Sequence, residues 1–93
     1  MEKDITNKIM RYLKTVDNCF AWKEHGGIYS TAGIPDIICC LNGRFVALEV
    51  KTATGKLTKL QESTLQRIRN AKGQAFKVTC VEEVKEVLRI LPI

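Results

Sequence analysis

Apolar residues recur at three- and four-residue intervals in three segments of the chain. This spacing places them on one helical face, and it predicts helices over about 3–15, 58–72 and 81–91. Thr58 and Gln61 stand at the positions of a capping box at the start of the second helix, and Gly73 stands at its stop position. Thr79 and Glu82 form a second capping-box candidate before the third helix.

Shorter apolar runs predict four strands, over about 19–24, 36–41, 44–51 and 75–79. Asn42-Gly43 separates the second run from the third and predicts a two-residue hairpin, because a type I′ turn needs positive φ at both positions. The middle strands are apolar at successive positions, so we expect layers on both of their faces. The element order therefore predicts an α/β fold, a three-layer sandwich with a mixed sheet of about four strands.

Length and composition narrow the function classes. We expect a single stand-alone domain over 1–93, because 93 residues suffice for one compact core. The formal net charge of +5 favours a polyanionic partner. The four cysteines lack zinc-ligand spacing, and neither a long apolar run nor an apolar leader is present. We therefore expect reduced thiols, a cytoplasmic location and no membrane association.

The predicted hairpin brings two carboxylates together. If Asn42 and Gly43 form the loop, the pairing carried back along both strands sets Asp36 opposite Glu49. Cβ atoms of such pairs lie roughly 4.5–5.5 Å apart, and like charges there are destabilising. A shared proton or a divalent cation must neutralise them, and carboxylate oxygens suit Mg²⁺ or Mn²⁺. Lys51 follows Glu49 by two residues and lies on the same face.

These residues allow two interpretations. Asp36 could be a polar strand start after Pro35, with Glu49 and Lys51 forming an exposed ion pair of little energetic value. Alternatively, the three side chains form a phosphodiesterase site, in which the lysine orients or deprotonates the attacking water. The register favours the second interpretation, because it directs all three side chains to one point.

Around these residues the chain resembles a known nuclease family. The matching segments are Gly33-Ile34-Pro35-Asp36-Ile37-Ile38, Ala47-Leu48-Glu49-Val50-Lys51-Thr52, Leu57-Thr58-Lys59-Leu60-Gln61 and Gly73 before a strand. They resemble the VRR-NUC (virus-type replication-repair nuclease) family of the PD-(D/E)XK superfamily. The resemblance implies a metal-dependent DNA endonuclease that acts on branched, junction or flap DNA in replication or repair, with Mg²⁺ or Mn²⁺ as cofactor and as a homodimer.

The resemblance also implies roles for individual residues. Asp36, Glu49 and the Val50 carbonyl would hold the metal, Lys51 would be the catalytic lysine, and Gln61 would approach the active site. An acidic residue of the first helix would assist, with Glu2 as the best match and Asp4 as its rival. The alternative function is a catalytically weak nucleic-acid-binding module on the same fold.

Several further residues are candidates for contact with nucleic acid. Lys56 and Lys59 follow the motif directly, and His25 and Ser30 lie in the glycine-rich stretch before it. Trp22 is expected to pack against the sheet and not to stack on a base.

Overall fold

Seven elements make up the fold in the computed structural model of the protein, which describes residues 1–24 and 32–91. In chain order they are α1 (Glu2–Leu13), β1 (Cys19–Lys23), β2 (Ile37–Leu41), β3 (Arg44–Val50), α2 (Lys59–Asn70), β4 (Gln74–Val78) and α3 (Val81–Ile90). This is the predicted order of helices and strands, and the predicted α/β class is confirmed.

The described strands form one mixed sheet in the order β1-β2-β3-β4. β2 is antiparallel to both β1 and β3, whereas β3 and β4 are parallel and joined through α2. Asn42 (φ 51°) and Gly43 (φ 81°) both adopt positive φ, as a type I′ turn requires. The β2–β3 ladder runs from Leu41–Arg44 to Ile37–Leu48, so the predicted hairpin register is confirmed.

The sheet is the middle layer of a sandwich. One face packs on α1 and α3 through a cluster that includes Ile9, Leu13 and Val84. The other face packs on α2 through a smaller cluster that includes Leu65 and Ile68. The predicted three-layer arrangement is therefore confirmed.

The helix ends differ from their predicted positions in two places. The capping box of Thr58 and Gln61 is present, but at the other end of α2 Lys72 (φ 77°) holds the left-handed position that was predicted for Gly73. Gly73 follows it, and its N–H donates to the Ile68 carbonyl as in a Schellman motif. A Cβ on Gly73 would lie 2.8 Å from Ile68 Cγ2, so close packing explains the glycine.

α3 begins at Val81 as predicted, but its cap lies one residue later than the predicted Thr79. The cap is Cys80, and the Glu83 carboxylate accepts bonds from the N–H and the hydroxyl of Thr79 at 2.5 and 2.9 Å. Glu83 thus takes the place that was predicted for Glu82. No helix in the described part of the chain has both the length and the apolar character needed to cross a bilayer.

Candidate active site

Asp36 lies at the point where β2 begins. Its Oδ2 accepts a 2.8 Å hydrogen bond from the Val50 N–H on β3. The preceding residue, Pro35, is fully buried and has no N–H to continue the ladder, so the two strands separate here. The carboxylate takes over the role of a backbone acceptor, which fixes its orientation toward β3.

Gly33 holds the segment before Asp36 against α2. Its φ of +82° is a left-handed conformation that side chains disfavour. A Cβ at this position would lie 2.8 Å from Leu60 Cγ and 2.9 Å from Thr64 Oγ1. The glycine therefore permits the close approach that sets the position of Asp36 relative to the helix.

Glu49 is the one charged residue in the described core, and 3% of its surface is exposed. Gln61 Nε2 donates to its Oε2 at 3.3 Å. Its Oε1 is buried without any hydrogen-bond partner among the described residues. Burial, and then hydrogen bonding to Asp36 and the charge of that residue, raise the pKa of Glu49 to about 8, against the opposing charge of Lys51.

Gln61 serves the helix cap and the site at the same time. Its Oε1 accepts from the Thr58 N–H at 2.9 Å, while its own N–H donates to Thr58 Oγ1 at 3.1 Å. Because the amide oxygen is held by the cap, the amide nitrogen faces Glu49. The capping box therefore orients the Gln61 donor toward the buried carboxylate.

Lys51 and Glu2 both lie near enough to Glu49 for their charges to influence its pKa, in opposite directions. The backbone N–H of Lys51 donates to the Val78 carbonyl at 3.0 Å, so the lysine is anchored where β3 ends. Asp4 is not among the charges that act on Glu49. The structure thus brings Glu2, and not its rival Asp4, toward the carboxylate pair.

Two of the predicted nucleic-acid contacts are exposed lysines near the start of α2. Lys56 is an exposed residue of the connection between β3 and α2. Lys59 lines a shallow hollow with Glu62 and Arg69, about half a helical turn away from Gln61. His25 and Ser30 fall outside the described residues.

The donor set fits a hard divalent cation. Within residues 1–24 and 32–91 no group of three or more His, Cys, Asp or Glu side chains could hold a metal. Mg²⁺, however, keeps several of its waters and is commonly bound by one or two carboxylates. The buried, unpartnered Glu49 Oε1 beside Asp36 is a free acceptor of that kind. The Val50 carbonyl would be the third protein ligand that the resemblance implies.

Glu24 is a neighbour of the site that the sequence did not indicate. The β1–β2 pairing continues past Lys23–Ile37, and the Glu24 N–H donates to the Asp36 carbonyl at 2.8 Å. Its exposed side chain therefore lies on the same face as Asp36. No signal in the sequence fixes the β1–β2 register, because a long connection, not a tight turn, separates these strands.

Comparison with known proteins identifies the fold. Neither family models nor curated protein sequences match this chain. Among solved structures, a protein described as a VRR-NUC domain matches with a TM-score of 0.81 at 18% identity, over 98% of this chain and 97% of its own. A second, described as a VRR-NUC domain protein, matches with a TM-score of 0.74 at 16% identity, over 96% and 85%. The chain therefore has the fold of VRR-NUC domains.

Proposed function

We propose that this protein is a metal-dependent endonuclease that hydrolyses phosphodiester bonds in DNA. The observation that carries the proposal is the buried, unpartnered Oε1 of Glu49, which lies beside Asp36 and within the influence of Lys51. Without a cation, this buried carboxyl group keeps a proton to a pH of about 8 because of its burial and its hydrogen bond to Asp36, and a divalent cation would take the place of that proton. The VRR-NUC fold supports the same activity.

Each residue has a defined role in this proposal. Asp36, Glu49 and the Val50 carbonyl would hold Mg²⁺ or Mn²⁺, which when bound polarises a phosphoryl oxygen and lowers the pKa of coordinated water. Gln61 donates to Glu49 Oε2 and so holds the carboxylate in one orientation. The Lys51 ammonium orients the attacking water and stabilises charge that develops on the phosphate.

The finer aspects of the proposal come from the family resemblance. We propose that the substrate is branched, junction or flap DNA encountered in replication or repair, and that the chain acts as a homodimer in the cytoplasm. Light scattering at micromolar concentration tests the oligomeric state, and a monomer would contradict it.

The test of activity is a cleavage panel with Mg²⁺ and with Mn²⁺. The substrates are duplex, single-stranded, flap and four-way-junction DNA, and the proteins are wild type, Asp36→Asn and Glu49→Gln. We expect wild type to cut at least one branched substrate. Both variants should lose about a thousandfold or more in rate, as single groups of a catalytic centre commonly contribute, while they retain DNA binding.

Variants that cut as fast as wild type would overturn the site assignment. Absence of cutting by wild type on every substrate, together with intact DNA binding, would favour the nucleic-acid-binding module instead. Lys14→Ala is a suitable control, because Lys14 is the exposed C-cap residue of α1, and α1 packs on the opposite face of the sheet.

A further inference from the structure

The sheet face that carries the site continues into an exposed aromatic surface. α2 packs over β4 and the adjoining part of β3, and no helix within the described residues packs over β1 on this face. Three rings stand there with large exposed fractions: Phe20 at 71%, Trp22 at 39% and Phe45 at 47%. We call these three residues the aromatic surface. Trp22 was predicted to pack against the sheet, but it is exposed on this face and its ring lies 5.6 Å from that of Phe20.

The ladders connect the aromatic surface to the active site. Phe20 faces Cys40, which faces Phe45, and these residues form one row across three strands. The next row toward the site begins with Trp22 opposite Ile38. One further step of two residues, about 7 Å along a strand, reaches the row that contains Asp36 and Glu49. A strand of nucleic acid that leaves the carboxylates along β2 would therefore pass directly over the rings.

Basic side chains border the aromatic surface on the side of α2. Lys72 lines a hollow of about 250 Å³ together with Phe45 and Ile68. Arg67 follows Thr64 by three residues and thus shares the helix side that packs toward Gly33 and β2. The acidic Glu62, in contrast, lines a different hollow, which it shares with Lys59 and Arg69. Lys72 beside Phe45, and Arg67 on the same side of α2 as Thr64, therefore supply positive charge that complements a phosphate backbone.

We propose that the aromatic surface stacks unpaired bases of a nucleic acid whose backbone enters the active site. This inference rests on the proposed nuclease function for the position of the phosphate. Rings fixed on a sheet accept any base, because every base has a π-face, and adjacent cations hold the backbone. A second copy of this chain would find complementary apolar area here but no use for Arg67 and Lys72. The preferred substrate accordingly has a single-stranded segment next to the scissile bond.

The chain contains a built-in reporter for this contact, since Trp22 is its single tryptophan. Its fluorescence is followed during titration, in EDTA, with a short oligothymidylate, an abasic strand of the same length and a matched duplex. We expect strong quenching by oligothymidylate, little by the abasic strand, and weak quenching by the duplex. Equal responses to the normal and the abasic strand would overturn the proposal, because phosphates alone would then explain binding.

Variants at Phe20 separate stacking from charge. Stacking on an aromatic side chain contributes enough that Phe20→Ala should weaken oligothymidylate binding about tenfold, and Phe20→Tyr should restore most of the affinity. Ile90→Ala is the matched control, because Ile90 is an exposed apolar residue of α3 (59% exposed). We expect the control to bind as wild type does.

Two results distinguish failure of this inference from failure of the proposed function. If wild type cuts DNA with Mn²⁺ but Phe20→Ala binds and cuts single-strand-containing substrates as wild type does, stacking is overturned and the nuclease stands. If wild type never cuts but Trp22 is quenched and Phe20→Ala weakens binding, the stacking surface stands without the nuclease.

A further result would assign the surface to a second copy of this chain. If Phe20→Ala converts a dimer to a monomer and leaves oligothymidylate binding unaltered, the proposal is overturned.

Discussion

The two faces of the central sheet differ in what they cover and what they expose. On the α1 and α3 side, alternate residues of β2 and β3 are aliphatic or cysteine side chains that are almost fully buried, among them Cys39, Val46 and Leu48. On the α2 side, the intervening residues change along the strand from Glu49, through Ala47, to the half-exposed Phe45. One face is a continuous core, whereas the other runs from a buried carboxylate to an open ring.

This difference shows how a small sheet separates stability from chemistry. Because strand side chains alternate, a single hairpin supplies both faces without competition between them. The covered face accounts for most of the apolar burial, so the other face can accommodate a charged pair and exposed rings. We expect substitutions on the two faces to differ accordingly, with stability lost on the first and metal or substrate binding lost on the second.

Truncation on the covered face should have the largest effect on stability. Leu48 is fully buried between the sheet and the α1–α3 layer, so Leu48→Ala should lower the free energy of unfolding by about 2–5 kcal/mol through lost transfer energy and a cavity. Urea denaturation measures the change. A loss below about 1 kcal/mol would mean that this face is not the principal core.

Metal binding to the carboxylates on the α2 side of the sheet should stabilise the folded protein. At a Mn²⁺ concentration a hundredfold above Kd, wild type should gain about 2.7 kcal/mol, because a ligand that binds the folded state shifts the unfolding equilibrium. Asp36→Ala should lose this gain, while Asp4→Ala, on a residue that does not act on the Glu49 pKa, should keep it. Differential scanning calorimetry with and without Mn²⁺ distinguishes these outcomes. An equal gain in wild type and Asp36→Ala would exclude the carboxylate pair as the site.

The buried glutamate should also give the metal-free protein a characteristic pH dependence. Folding raises the pKa of Glu49 from 4.5 to about 8, chiefly through burial. Between these values the folded chain retains a proton that the unfolded chain releases. The free energy of unfolding should therefore fall as pH rises from about 4.5 to 8, by at most about 1.4 kcal/mol per pH unit.

Glu49→Gln isolates this effect, since glutamine has a similar shape and does not titrate. In EDTA the difference in unfolding free energy between wild type and variant should move in favour of the variant as pH rises through that window. A difference that stays constant with pH would show that the folded protein does not shift the Glu49 pKa.

Truncation on the aromatic surface should have the smallest effect on stability. Phe20 is 71% exposed, so Phe20→Ala removes little buried area and should change the free energy of unfolding by less than about 1 kcal/mol. The same urea experiment that measures Leu48→Ala measures it. A loss as large as that for Leu48→Ala would remove the distinction between the two faces.

The hairpin geometry could be predicted from the sequence because local chemistry determines it. Asn42-Gly43 selects a type I′ turn, and the turn fixes the β2–β3 register as far as the Ile37–Leu48 pair. Asp36 and Glu49 are the next residues past that pair, and they lie close enough for Asp36 to act on the Glu49 pKa. The capping box of Thr58 and Gln61 was equally readable, since its residues are three positions apart. These features depend on contacts between residues that are near in sequence.

Features that depend on distant contacts were not predicted. The exposure of Trp22 follows from which part of the sheet α2 leaves uncovered, and the position of Glu24 follows from the β1–β2 register. Gln61 also shows the limit of sequence reasoning, because the sequence does not show that one side chain can serve both the helix cap and the active site. In the structure one amide serves both, with its oxygen on Thr58 and its nitrogen on Glu49.

The central claim is that Asp36, Glu49 and Lys51 form one catalytic centre, and removal of the lysine tests it most directly. Lys51→Ala removes the ammonium and keeps both carboxylate side chains, and Lys14→Ala removes an exposed lysine at the end of α1, on the opposite face of the sheet, as a control. Cleavage of a flap substrate with Mn²⁺ is measured together with DNA affinity. We expect Lys51→Ala to lose about a thousandfold in rate with affinity nearly unchanged, and Lys14→Ala to cut at close to the wild-type rate. Equal cleavage by wild type and Lys51→Ala would contradict the account.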